Sequence, residues 1–128
     1  MRKLFTILFA TLFAGSCVAA PEPQQLRKWY TQINEQYFLN ALPKDTVIAY
    51  GDPGETAMAV TFKDQQGRFH IVMGKEFYGA GVVAKETLLH ESCHISVWNV
   101  HDSLDGHGLA WHQCMERLYR EGAFEDVL

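Results

Sequence analysis

The chain has 128 residues, which is enough for one domain with a hydrophobic core but too few for two. Its composition, 48% hydrophobic and 20% charged, is that of a globular protein, with neither internal repeats nor low-complexity tracts. The chain has eleven Lys and Arg and fifteen Asp and Glu. Without Arg2 and Lys3, which belong to the leader-like segment described next, nine Lys and Arg remain against fifteen Asp and Glu, a net charge of −6. An acidic surface repels phosphate backbones, so we expect no nucleic-acid partner.

The first twenty residues have the pattern of a secretory leader. A basic start at Arg2 and Lys3 precedes an apolar run over residues 4–14, and small residues follow up to Ala20. The run is too short to span a membrane comfortably, so we predict a signal peptide over residues 1–20 and one domain over residues 21–128. The protein would then be exported, to a periplasm or outside the cell, and its mature form would have no membrane span. The alternatives are a retained anchor, a buried first helix, or a lipid anchor at Cys17.

The pattern of residues 23–38 predicts an amphipathic helix. Apolar side chains recur there at steps of three and four, and charged or amide side chains occupy the opposite face. The apolar positions are Leu26, Trp29, Tyr30, Ile33 and Tyr37. Pro43 marks the end of this helical region.

Three short runs, at residues 46–50, 57–62 and 68–73, have strand character. Turn-forming sequences separate them, Gly-Asp-Pro-Gly at residues 51–54 and Asp-Gln-Gln-Gly at residues 64–67. Because these connections are short, we predict a three-stranded antiparallel meander.

Two further helices are predicted in the second half of the chain. The glycines at positions 79 and 81 precede the first, over residues 82–98, and a polar loop follows at residues 99–106. The last helix begins near Gly108 and ends by Gly122, a common helix terminator. The predicted fold class is therefore α+β, with the order helix, three strands, helix, helix.

The helix over residues 82–98 contains the sequence His90-Glu91-Ser92-Cys93-His94, an H-E-x-x-H motif. Residues four apart lie one turn above each other on a helix, so both imidazoles can bind the same cation. Nitrogen ligands and a tetrahedral site with one open position suit zinc, and we expect one Zn²⁺ per chain. Glu91 lies about 100° around the helix from His90 and is the candidate general base. A pair of surface histidines with a salt-bridging glutamate is the alternative.

A catalytic zinc site needs a third protein ligand, and three histidines lie downstream, His101, His107 and His112. The metzincin pattern is excluded, because Val97 and Val100 stand where it requires Gly and His. Glycines flank His107, which also heads a stripe continued by Trp111, Cys114 and Leu118 that should face the motif helix. This placement favours His107 over His101, in a loop, and His112, off the stripe.

The motif residues together resemble the SprT-like zinc metallopeptidase domain, relatives of Spartan. The resemblance rests on His90-Glu91-x-x-His94, on His107-Gly108-x-x-Trp111, and on Asn34-x-x-Tyr37-Phe38-x-x-x-Leu42-Pro43. It implies a zincin-like arrangement over most of residues 24–120, with His90, His94 and His107 as zinc ligands and Glu91 as general base. Spartan-type relatives act inside cells on proteins attached to DNA. This chain shows no second C-x-x-C pair and no basic tail, so we do not transfer that substrate.

These features predict a zinc metalloendopeptidase that acts on a protein or peptide with Glu91 as its base. The alternative function is a zinc-stabilised protein-binding module that has lost turnover. Outside the leader, Cys93 and Cys114 are the two cysteines, and their spacing allows either a disulfide or two buried thiols. His70 is expected to be an exposed strand residue whose strand could border the cleft and pair with an extended peptide. Tyr78 is a weak candidate for stabilising an oxyanion.

Overall fold

The computed structural model describes residues 20–75 and 81–125, and these form three helices and one three-stranded sheet. The elements in chain order are α1 (Pro23–Tyr37), β1 (Val47–Tyr50), β2 (Ala59–Lys63), β3 (Phe69–Met73), α2 (Gly81–Ser96) and α3 (Leu109–Arg120). The α+β class and the element order agree with the sequence prediction. Residues 1–19 of the proposed leader lie outside the described residues, and so does Tyr78.

The sheet is mixed, so the predicted antiparallel meander is wrong. Its strand order is β1-β3-β2, with β1 parallel to β3 and β2 antiparallel to β3. The tight turn at residues 64–67 does make β2 and β3 neighbours, but residues 51–58 carry the chain across the sheet. β1 therefore pairs with the far edge of β3, where Ile48 lies opposite Ile71. This order places the most deeply buried strand, β3, in the centre of the sheet.

The core lies between α1, α2 and the sheet. Helix α1 buries its apolar stripe as the period of the sequence predicts, and α2 is buried along much of its length between α1, α3 and β2. The most deeply buried side chains in this core are Leu26, Tyr30, Ile71, Met73, Leu88, Leu89 and Leu118. A helix buried on several sides holds its side chains in fixed directions, and α2 carries the H-E-x-x-H motif.

The segment after α1 is held by side chains of α1 itself. The Asn34 side chain is buried, donates to the Leu42 carbonyl at 3.0 Å and accepts from the Leu42 N–H at 2.9 Å. The backbone turns through two left-handed residues, Leu39 and Asn40, with φ of 52° and 61°. Tyr30 extends the arrangement, since its hydroxyl donates to the Pro43 carbonyl at 2.9 Å. These bonds fix the path from α1 into β1.

A disulfide joins Cys93 on α2 to Cys114 on α3. The spacing of these cysteines allowed either a disulfide or two buried thiols, and the structure has the disulfide. The bridge encloses the loop between α2 and α3, and this loop carries His107. None of the helices within the described residues is both long enough and apolar enough to cross a membrane.

Candidate metal centre

His90 and His94 stand one turn apart on α2 and present their imidazoles to the same point. Their Nε2 atoms are 3.2 Å apart, and both rings are only partly buried. The helix alone produces this geometry, because the i and i+4 positions of a helix share a face. Burial of the neighbours Cys93 and Ile95 in the core prevents the helix from turning that face away.

His107 completes the cluster from the loop between α2 and α3. Its Nε2 atom lies 3.1 Å from that of His94 and 3.3 Å from that of His90. Asp105 contacts His107 at two points. One carboxylate oxygen accepts a hydrogen bond from the backbone N–H of His107 at 3.0 Å, and the other lies 3.6 Å from its Nδ1. Gly106 has φ of 78° and passes so close to His94 that an added Cβ would lie 3.4 Å from its Nδ1. Glycine suits this position because other residues rarely adopt that conformation.

Gly108 fixes the start of α3 immediately after His107. Asp102 accepts a hydrogen bond from the Ala110 N–H at 2.8 Å and so caps the helix, an arrangement that satisfies one of its free N–H groups. A Cβ on Gly108 would lie only 2.1 Å from an oxygen of that carboxylate. The glycine therefore allows Asp102 to approach, and the capped helix holds the end of the His107 loop.

Trp111, on the first turn of α3, forms one wall of the cluster. Its ring centroid is 4.7 Å from those of His90 and His107 and 5.5 Å from that of His94. Its Nε1 donates to the His90 carbonyl at 3.4 Å. Sequence analysis assigns this tryptophan to the stripe that faces the motif helix and to the motif that carries the family resemblance. The structure shows that its ring also packs against all three imidazoles.

The three imidazoles fit a zinc ion. Ligand nitrogens 2.0–2.1 Å from a tetrahedral zinc are about 3.3 Å from each other, and the Nε2 separations here are 3.1 to 3.3 Å. Burial, followed by the neighbouring imidazoles, lowers the pKa of His90 and His94 to about 4. Both side chains are therefore neutral at pH 7, which is the state that binds a metal.

Glu91 is buried beside the cluster, on the side of α2 that contacts β2. Its side chain is only 4% exposed, and its Oε2 accepts a hydrogen bond of 2.5 Å from the Thr61 hydroxyl. Burial raises the pKa of the Glu91 carboxyl, and the Thr61 hydrogen bond partly opposes that rise. Sequence reasoning missed Thr61 entirely, because a threonine in a strand is common and no motif marks it.

The remaining histidines of the described region lie away from this centre. His101 and His112, the less favoured ligand candidates, are exposed and belong to no cluster that could hold a metal. His70 is half-buried rather than exposed, stacks on Phe62 with ring centroids 4.7 Å apart, and lies 2.8 Å from an Asp64 oxygen. Its strand β3 is the central one, so the expectation that this strand pairs with a peptide is wrong.

The fold therefore brings together three histidines, His90, His94 and His107, that could hold a metal ion. A family model, described as the SprT-like family, matches residues 26–126. The chain therefore belongs to the SprT-like family, a zinc-associated family of metallopeptidase-like domains. A search of curated proteins found no match.

Proposed function

We propose that this protein is a zinc metalloendopeptidase. The observation that carries the proposal is the convergence of three imidazole Nε2 atoms, at 3.1 to 3.3 Å, beside a buried carboxylate. His90, His94 and His107 would hold the zinc ion, which would supply a Lewis acid for the scissile carbonyl and lower the pKa of a water to about 7. Three protein ligands leave the fourth position open, as a catalytic site requires.

Glu91 is the general base of this proposal. It takes a proton from the attacking water and later gives it to the leaving amine, a role that suits a carboxyl whose pKa is raised by burial. The Thr61 hydroxyl holds Oε2 and so restricts rotation of the carboxylate. Among the described residues, β2 pairs with β3 along one edge only. An extended peptide could therefore bind along the other edge, next to Glu91.

The rival is a zinc-stabilised binding module without turnover. A purely structural site has no use for a carboxylate beside its ligands, and burying one without a cationic partner is costly. Within the described residues Glu91 forms no salt bridge, which favours the enzyme over the binding module.

Replacement of Glu91 by Gln tests the proposal. Gln is nearly isosteric but cannot take the proton, so Glu91→Gln should retain zinc and fold while hydrolysis of an unfolded protein falls by about 10²–10⁴. Zinc content is measured on the same sample, since an empty site would also be inactive. Glu116→Gln, an exposed change of the same kind on α3, is the matched control and should keep the parental rate. A Glu91→Gln variant that holds full zinc and cleaves at the parental rate would contradict the mechanism.

We also propose that the protein is exported and that its partners are protein or peptide substrates, not nucleic acids. Two observations support export, the leader-like pattern of residues 1–20 and the Cys93–Cys114 disulfide, which persists in oxidising compartments. Fractionation of expressing cells should find a form shortened by about twenty residues outside the cytoplasm. A full-length product confined to the cytoplasm would exclude this localisation.

A further inference from the structure

An apolar recess opens directly from the histidine cluster. It has a volume of about 590 Å³, and His90, Glu91 and His107 belong to its lining. This size is within the range of ligand-binding clefts and is large enough for a bulky side chain with adjoining backbone. Whatever side chain enters the recess must therefore belong to a residue close to the reacting bond.

The walls of the recess are mainly apolar and come from separate parts of the fold. Met58 precedes β2, Val83 is on the first turn of α2, Met115 is on α3, and Phe124 follows α3. Val83, Met115 and Phe124 pack against the core, so the far wall is supported from behind. Methionines adapt to side chains of different shape, so the recess should accept several large apolar residues.

The charge around the recess works against acidic side chains. Glu86 lies in its lining, and the protein as a whole is acidic. A carboxylate placed in the recess would lose hydration among apolar walls and face a like charge, both of which cost free energy.

The direction of β2 indicates on which side of the scissile bond the recess lies. The recess touches the beginning of β2, at Met58 and Ala59, whereas Thr61, further along the strand, contacts Glu91. Antiparallel pairing is the slightly more stable arrangement, and a peptide bound that way to β2 runs opposite to the strand. The part of the peptide that follows the scissile bond then lies at the beginning of β2, beside the recess.

We propose that this recess is a specificity subsite that takes a large apolar side chain from the residue after the scissile bond. The inference rests on the proposed peptidase activity and names its substrate class. Side chains of this kind are mostly buried in folded proteins. The substrates are therefore unfolded or locally unfolded polypeptides.

A peptide series with one variable residue after the cleaved bond tests the subsite. The zinc-loaded parent should cleave the Leu and Phe peptides with kcat/KM at least about tenfold above the Ala peptide, and the Asp peptide more slowly still. Two variants change the recess in opposite directions. Val83→Phe narrows the recess, so kcat/KM for the Phe peptide should fall close to that for the Ala peptide. Met115→Ala widens the recess and should raise kcat/KM for the Phe peptide relative to the Leu peptide. Leu109→Ala is the control, because it changes an exposed apolar residue on α3, the helix that carries Met115, and it should leave both ratios unchanged.

The outcomes separate the subsite from the activity on which it rests. Equal cleavage of all peptides by the zinc-loaded parent would overturn the subsite and leave the proposed hydrolysis intact. A preference for the residue before the bond would overturn the placement of the recess. A zinc-loaded parent that cleaves neither the peptides nor an unfolded protein would overturn the proposed hydrolysis itself. Zinc content and thermal unfolding, measured for each variant, establish that a changed ratio comes from an intact site.

Discussion

Two segments that carry the resemblance to the SprT-like family use their polar side chains in opposite ways. In the first, residues 34–43, Asn34 is buried and both ends of its amide bond to the backbone of Leu42. In the second, residues 90–111, three imidazoles turn their Nε2 atoms toward one another. Imidazole nitrogens that converge in this way are arranged for a ligand from outside the chain, whereas the amide of Asn34 is satisfied by the fold.

The two segments therefore have different roles. Residues 34–43 fix the path of the chain into β1, and residues 90–111 form the candidate zinc site. Changes in the first segment should therefore alter stability without altering the zinc bound per folded molecule. Changes in the second should alter zinc binding while the fold persists. The predictions below test that separation.

The largest effect is expected at His107. Its replacement by Ala leaves two imidazoles, too few to hold zinc firmly at neutral pH, so most of the bound metal should be lost. Metal analysis after dialysis, with circular dichroism to check the fold, measures this loss. His101→Ala and His112→Ala remove exposed histidines and should leave the zinc in place. If His101→Ala emptied the site and His107→Ala did not, the candidate centre would be wrong.

A disulfide joins Cys93, in the second segment, to Cys114, which lies beyond that segment on α3, and its expected role is to stabilise the fold. Replacement of both Cys93 and Cys114 by Ser removes a cross-link between residues 21 apart in sequence. The free energy of unfolding should fall by about 3 kcal/mol, as the loop-entropy relation gives for this length. Urea unfolding of the metal-free protein measures the change, and the reduced parent serves as control. An unchanged unfolding midpoint would show that the bridge does not stabilise the fold.

Asn34 tests the first segment. Replacement of Asn34 by Ala leaves the buried N–H and carbonyl of Leu42 without their side-chain partner, which should lower the free energy of unfolding by about 2 kcal/mol. Zinc per folded molecule should not change. Asn99→Ala, an exposed change of the same kind, should have little effect on either quantity. A loss of zinc from folded Asn34→Ala protein would mean that the two segments are coupled.

The parts of the structure that could be predicted from the sequence are those set by local patterns. Apolar spacing predicts α1, flanking glycines mark the bounds of α2 and α3, and the pairing of His90 with His94 follows from a single helical turn. His107 could be favoured because it heads the stripe that faces α2. These features need no knowledge of how distant segments meet.

The parts that could not be predicted depend on contacts between distant segments. The strand order was missed because residues 51–58 are short enough for a hairpin and also long enough to cross the sheet. Thr61 was missed because it lies thirty residues from Glu91 and reaches it only through the packing of β2 on α2. The spacing of Cys93 and Cys114 allowed a bridge, but only the packing of α2 on α3 brings their Cα atoms to 5.8 Å.

The smallest effect is expected from pH, in the metal-free protein. The pKa of His90 and His94 is about 4 in the fold, against 6.5 for an ordinary histidine, so the unfolded chain binds more protons between these values. Stability should therefore fall as the pH drops from about 6.5 to 4. The effect is limited, because both rings are partly exposed to solvent and because the raised pKa of Glu91 changes stability in the opposite direction.

Urea midpoints of chelator-treated protein across this pH range measure the dependence. A variant with both His90 and His94 replaced by Gln is the matched comparison and should lose less stability over the same interval. If the parent and this variant depended on pH equally, the two imidazoles would not be desolvated in the metal-free fold. The neutral form that binds a metal would then not be favoured by the protein before the metal arrives.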